Sequence, residues 1–285
     1  MNAIERAKLA LEGLSVGDAF GERLMSSVSR DYAIPERALP KAPWKWTDDT
    51  AMAMSIVDEL ASAHGIDPAS LAQRFARRYA IDPARGYGSG AHRVLTAIAT
   101  GERYDIAAKQ LFGGEGSRGN GGGMRAAPIG AYYCDDLAAV ATQAANSAAP
   151  THAHPDGVAG AIAVALAAAC AFAGERDPRA LLEAVVASTP DGPTREGVRR
   201  AMAMLRAEPV AVAAELGNGS RVLAADTVPF AVWCAATHLG DFEAALWSCA
   251  SVGGDVDTTC AMVGGIVAGA ASIPDAWRAS REPLM

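Results

Sequence analysis

The chain has 285 residues, of which 51% are hydrophobic and only 6% aromatic. Its core must therefore be built from Ala, Val, Leu, Ile and Met, and alanine in such abundance favours closely packed helices, because it has the best helix propensity. With 25 Lys/Arg against 32 Asp/Glu the net charge is −7, and no basic run is long enough to track nucleic acid. Five cysteines, Cys134, Cys170, Cys234, Cys249 and Cys260, form no C-x-x-C pair and sit among apolar neighbours. That usage predicts buried free thiols in a reducing, cytoplasmic setting. Glu5, Arg6, Lys8 and Glu12 interrupt what would be the apolar region of an export signal.

Helical periodicity dominates and period-two strands are scarce. In chain order, helices are predicted over about 3–16, 50–63, 68–80, 89–100, 104–111, 124–133, 135–147, 156–173, 178–188, 194–206, 208–216, 226–239, 241–250 and 258–271. Short connections such as "GIDPAS" and "GERDPR" separate them, and no composition break suggests a linker. The expectation is one all-α domain over residues 1–285. Stretches 157–174 and 258–274 approach the length of a membrane span. They are Ala/Gly-rich, and the second starts at an acidic cluster, so both are expected to be core helices rather than spans.

Two connections stand out. Residues 22–46 run long without a helical pattern, as lids and binding loops do. Residues 113–123 of "GGEGSRGNGGGMR" hold seven glycines in eleven positions. Ordering so much glycine costs backbone entropy and needs a reason.

The polar residues give candidate reasons. "WTDDT" places Thr47, Asp48, Asp49 and Thr50 at the head of an apolar helix, and "GGDVDTT" does the same with Asp255, Asp257 and Thr258 two hundred residues later. Helix capping explains one such cluster. It explains the pair poorly, since a cap needs one oxygen and each cluster brings two carboxylates and a hydroxyl. Packed carboxylates repel unless a cation joins them, and oxygen-only ligands select Mg²⁺, Mn²⁺ or Ca²⁺ over zinc. If the two helix starts meet, they have the ligands for two ions. H-E-x-x-H, zinc-type Cys/His spacing, His-Asp pairs and G-x-S-x-G are all absent.

The glycine loop lacks the G-K-[ST] ending of a P-loop and follows no strand. Gly119, Asn120, Gly121, Gly122, Gly123 and Met124 can either form a mobile surface loop or turn backbone N–H groups towards a phosphate, with Arg125 as counter-charge or solvated side chain. "GYGSG", with Gly88 and Ser89, is either a tight turn into a helix or a second close approach to a ligand. In "THAHP", His152 is the better candidate for a functional histidine because it lies just ahead of a long apolar helix.

Taken in order, "GDAFG" (17–21), "WTDDTAM" (46–52), "GYGSG" (86–90), "GNGGGMRAAPIG" (119–130), "TH" (151–152) and "GGDVDT" (253–258) resemble the motifs of ADP-ribosylglycohydrolases. The resemblance runs from about residue 6 to 272 and implies an all-α fold with a binuclear Mg²⁺ or Mn²⁺ cleft. It implies Thr47, Asp48, Asp49, Asp255, Asp257 and Thr258 as metal ligands, with Asp49, Asp255 and Asp257 closest to the chemistry. The two glycine loops would embrace ADP-ribose with His152 nearby. The implied substrate is a glycosidic bond at the distal ribose of an ADP-ribosyl adduct, cleaved as oxocarbenium character develops. Several family members carry a Glu seven positions after the Asp of the G-D-A element, where this chain has Met25; Glu22 and Glu36 lie on the same stretch. Binding of ADP-ribose with little hydrolysis, or hydrolysis of another nucleotide-like compound, are the alternatives.

Overall fold

The computed structural model describes residues 1–284. Asn2 starts the first helix with a capping box: its side chain accepts the Glu5 N–H while the Glu5 carboxylate accepts the Asn2 N–H. Sixteen α-helices follow from there: α1 (Ala3–Arg23), α2 (Ser27–Glu36), α3 (Asp48–Ala63), α4 (Pro68–Ile81), α5 (Ser89–Ala99), α6 (Tyr104–Lys109), α7 (Ala127–Tyr132), α8 (Leu137–Ala148), α9 (Pro155–Ala173), α10 (Pro178–Ser188), α11 (Pro193–Ala203), α12 (Pro209–Leu216), α13 (Ala224–Thr237), α14 (Phe242–Ala250), α15 (Val256–Val267) and α16 (Asp275–Ser280). Among the described residues there is no β-strand, only isolated bridges between Trp44 and Arg281 and between Gly119 and Leu223.

The all-helical expectation holds, with three differences. Helix α1 continues seven residues beyond the predicted end at 16, through glycines that ordinarily weaken a helix. The segment 22–46 is not one irregular loop but contains α2, opened by Ser26, whose hydroxyl accepts the Ser29 N–H. A short α16 near the C-terminus has too few residues to show a periodicity.

The glycines in α1 serve packing. Gly13, Gly17 and Gly21 recur every fourth residue and form one stripe against α15. A Cβ on Gly17 would lie 2.1 Å from the Cys260 carbonyl oxygen, and one on Gly13 would lie 2.3 Å from that of Gly264. The two helices therefore touch backbone to backbone, which no residue with a side chain allows. Gly17→Ala should accordingly lower stability by about 2–3 kcal/mol through overpacking. Chemical denaturation checks this, and a loss below about 0.5 kcal/mol would mean the contact is loose.

Helix α9 lies in the middle of the core, packed against α7, α8, α10, α11, α13 and α15. It is long and apolar enough to cross a membrane, but 78% of its apolar window is buried inside the protein, by helices on several sides. At the far end of α1, the Phe20 ring lies tilted against Trp277, centroids 4.6 Å apart, and edge-to-face with Trp247 at 4.8 Å. Trp44 packs on the same rings. This aromatic knot fixes the C-terminal end of α1, the strand-like approach to α3 and α16 relative to one another. That end of the molecule carries the acidic residues.

Candidate active site

The close approach of α1 to α15 buries Asp18, a residue of "GDAFG" for which the sequence suggested no role. Its carboxylate accepts the Thr47 N–H at 2.9 Å, the Thr47 hydroxyl at 2.9 Å, the Thr50 N–H at 3.1 Å and the Thr50 hydroxyl. Asp18 thus ties the start of α3 to the centre of α1. Burial raises its pKa to about 6, while these four bonds hold it down.

The two acidic clusters meet. Thr258 donates to Asp49 Oδ2 at 3.5 Å across 209 residues of chain. No carboxylate of either cluster serves as the N-cap acceptor. At α3 the cap is the Thr47 hydroxyl, and at α15 the N-cap residue Asp255 makes no side-chain cap bond. Asp255 instead accepts from the Asn120 amide at 2.6 Å. Gly253 and Gly254 carry φ of +68° and +84°, and a Cβ on Gly254 would lie 2.1 Å from the Asn218 carbonyl oxygen, so this turn into Asp255 requires glycine.

The carboxyls are mutually destabilised as anions. Burial and the neighbouring Asp18 push Asp48 up to about 7. Burial, then Asp18, Asp257, Asp48 and Asp255, raise Asp49 well above the usual carboxylate range. Burial and Asp255 do the same to Asp257, with Glu22 at the end of α1 adding to the repulsion. Asp49 Oδ1 is buried without a hydrogen-bond partner. Among the described residues no three His, Cys, Asp or Glu side chains are already drawn into one ligand sphere. The donor set is nonetheless oxygen-only, with four crowded carboxylates and one orphaned oxygen, which is the chemistry that a hard divalent cation satisfies. Asp48, Asp49, Asp255, Asp257 and Thr258 could hold one. The Thr47 hydroxyl lies behind them, bonded to Asp18 and to Asp49 Oδ2 at 3.0 Å.

Asp48, Asp49, Asp255, Asp257 and Thr258 all line one cleft of about 790 Å³. Gly88, Ser89, Gly119, Asn120, Gly121, Met124, Arg125 and His152 line it too, as the motifs suggested. Gly122 and Gly123 do not: Gly122 packs on the Gly157 carbonyl and Ala161, and Gly123 on Met262 and Val228. Their lack of side chains serves the fit of the loop against α9, α13 and α15. The loop is pinned by the Gly119–Leu223 bridge and by Asn120 N–H donating to the Val222 carbonyl at 3.2 Å. It is therefore an ordered wall rather than a mobile surface loop.

Arg125 is 1% exposed, which excludes the solvated alternative. Its guanidinium lies over Phe75 at 4.6 Å and donates to the Ser147 carbonyl and the Thr151 hydroxyl, each at 2.8 Å. Burial lowers its pKa to about 9, still a cation at neutral pH. His152 is also buried, and desolvation together with the Arg125 charge lowers its pKa to about 3. His154, by contrast, caps α9.

Sequence reasoning also missed two rim residues. Phe112 (φ 52°) and Val222 (φ 57°) are left-handed, exposed and line the cleft. Nothing in the sequence marks them, since neither residue type favours that conformation. Met25, in the turn between α1 and α2, is 40% exposed and does not line the cleft.

An all-helical protein with paired acidic helix starts facing a glycine-walled cleft is what the resemblance to ADP-ribosylglycohydrolases implies. The sequence model described as ADP-ribosylglycohydrolase matches residues 1–283, and the chain belongs to that family. The ADP-ribosylhydrolase ARH3 of Homo sapiens is 30% identical over 330 aligned positions, covering 98% of this chain and 90% of its own. The ARH3 of Bos taurus is 32% identical over 273 positions, 83% of this chain and 74% of its own. A solved structure, of an ADP-ribosylglycohydrolase-related protein complex, superimposes with a TM-score of 0.70 at 25% identity over 99% of this chain and 93% of that chain.

Proposed function

We propose that the protein is a divalent-cation-dependent hydrolase that cleaves the glycosidic bond at C1 of the distal ribose in an ADP-ribosylated side chain or small acceptor, releasing ADP-ribose. The observation that carries this reading is the contact of Thr258 with Asp49, which joins the two acidic helix starts in one cleft. Two Mg²⁺ or Mn²⁺ ions held by Asp48, Asp49, Asp255, Asp257, Thr258 and, on the far side, Thr47 would supply Lewis-acid polarisation and a water of lowered pKa.

The chain's own groups do the rest. Gly119 and Asn120 spend their backbone N–H groups on the Ser117 hydroxyl and the Val222 carbonyl, which leaves Gly121 and the start of α5 at Gly88 and Ser89, all lining the cleft, as the backbone that would suit the diphosphate. Asn120 holds Asp255 in place by its amide. The carboxylates oppose the positive charge that builds on the ribose as the leaving group departs. Glu22, exposed at the end of α1 and outside the cleft lining, still adds to the repulsion on Asp257 and is the carboxylate of the 22–46 stretch nearest to the acidic cluster. The five free thiols are buried, which supports a reducing, cytoplasmic workplace.

A second reading, binding of ADP-ribose with little turnover, is favoured by Met25 lying outside the cleft lining. The test is release of free ADP-ribose from conjugates of arginine, serine, an acetyl group, nucleic acid and a small guanidine, with Mg²⁺, with Mn²⁺ and with EDTA. At least one conjugate should be hydrolysed, and EDTA should abolish release. Tight ADP-ribose binding without release from any conjugate would select the second reading. Release that survives EDTA would remove the cation from the mechanism.

A further inference from the structure

His152, Thr151 and Arg125 form a hydrogen-bonded row beneath the glycine loop. The Arg125 Nη2 donates to Thr151 Oγ1 at 2.8 Å, and Thr151 Oγ1 lies 2.7 Å from His152 Nδ1. All three residues are buried. A guanidinium has donors only, so Thr151 must accept from it. The hydroxyl has a single proton, and two acceptors compete for it: His152 Nδ1 at 2.7 Å and the Ala148 carbonyl at 3.5 Å. The shorter contact lies well inside hydrogen-bond range and the longer at its limit. A hydroxyl polarised by a cationic donor also gives its proton more strongly. Nδ1 is then the acceptor, and the ring's proton sits on Nε2.

The other side of the ring gives that proton a target. Nε2 lies against the glycine loop, 3.4 Å from where a Cβ on Gly119 would stand and 3.5 Å from one on Gly121. Among the described residues no group accepts from Nε2, and His152 lines the cleft. Gly119 and Gly121 leave the space beside the ring that a ligand oxygen can enter.

We propose that Arg125 and Thr151 are positioning residues that lock His152 as its neutral Nε2–H tautomer, so that the ring is a permanent hydrogen-bond donor to an anionic oxygen of a ligand at the glycine loop. The identity of that ligand as ADP-ribosyl rests on the proposed function; the lock itself does not. The relay makes His152 a recognition donor and excludes it as a general base, because its only free nitrogen carries a proton. Arg125, in turn, contributes to ligand recognition through Thr151.

The test is a long-range ¹H–¹⁵N correlation spectrum of the histidine rings in the full-length protein without ligand, at neutral pH, with the His152 signals assigned from a His152→Gln sample. The expected result is a single Nε2–H tautomer. Thr151→Ser should keep it, whereas Thr151→Val, which removes the hydroxyl at constant shape, should release the Nδ1–H form. With Mg²⁺ present, Thr151→Val should bind ADP-ribose about tenfold more weakly than wild type, the loss of one hydrogen bond to a charged group, and Thr151→Ser should restore most of the affinity. An Nδ1–H tautomer in the wild-type protein would overturn the proposal even if Thr151→Val fails to fold. So would a Thr151→Val spectrum unchanged from wild type. Wild-type protein that shows the Nε2–H form but ignores ADP-ribose would overturn the functional reading while supporting the relay.

Discussion

Asp49→Asn should give a protein that melts higher than wild type in EDTA and yet releases no measurable ADP-ribose in Mg²⁺. Asp49 is 1% exposed, has an unpartnered Oδ1 and sits among Asp18, Asp48, Asp255 and Asp257. Without a cation, the folded state must keep that carboxyl protonated or bury a charge among like charges. An asparagine retains the oxygen that accepts from Thr258 and replaces the orphaned oxygen with a donor that the surrounding carboxylates can accept. The expected effect in EDTA is a higher melting temperature, the direction that the raised pKa of Asp49 sets. The same change removes a central candidate ligand, so turnover should fall on the order of 10³-fold or more. Thermal denaturation with and without Mg²⁺, alongside a release assay, reads both effects. A variant as active as wild type would sink the assignment of Asp49; a variant less stable in EDTA would show that the carboxylates are not in conflict.

Cation stabilisation of the wild-type protein should grow as pH rises from about 4 to above 7. Asp48 moves from 3.8 to about 7 on folding and Asp18 from 3.8 to about 6, both upward. In that window the native state binds more protons than the unfolded one, so stability in EDTA falls as pH rises. The Asp48 shift alone contributes on the order of 4 kcal/mol to that fall. His152 opposes it: its pKa drops from 6.5 to about 3, so its contribution to stability rises with pH between those values. Two resolved carboxyl shifts, with Asp49 and Asp257 displaced in the same direction, outweigh one histidine. Divalent cations compete with protons for the same oxygens, so they restore at pH 7 what deprotonation takes away and do little at pH 4. The measurement is the difference in melting temperature between Mg²⁺ and EDTA across this range. A difference independent of pH would place the bound ion away from these carboxylates.

Much of the site was legible locally. The T-D-D-T and G-G-D-V-D-T segments each announce a helix start overloaded with oxygen, and the structure brings them together in the cleft. The glycine-rich loop, "GYGSG" and the His152 position were legible because glycine and histidine have narrow conformational and chemical uses. Helices α3 to α5, α8 to α10 and α14 were within reach because their starts carry Thr, Asp, Pro or Gly signals of local origin. Helix α1 was cut short because its glycines look like a terminus along the chain, whereas they are required by α15, some 240 residues away.

The sequence by itself determined the helical class, the two acidic helix starts and the oxygen-only donor set, since each follows from neighbouring residues. Only the tertiary structure decided which of these residues act together. It made Asp18 the tie between α1 and α3, turned Gly122 and Gly123 into packing, buried Arg125 and set Thr151 between it and His152. The physical reason is that hydrogen-bond partners and burial are properties of distant segments in contact. A lone Arg or Thr in the sequence has the same chemistry whether it is solvated or buried, and only the packing of α4, α8 and α9 around the glycine loop distinguishes the two.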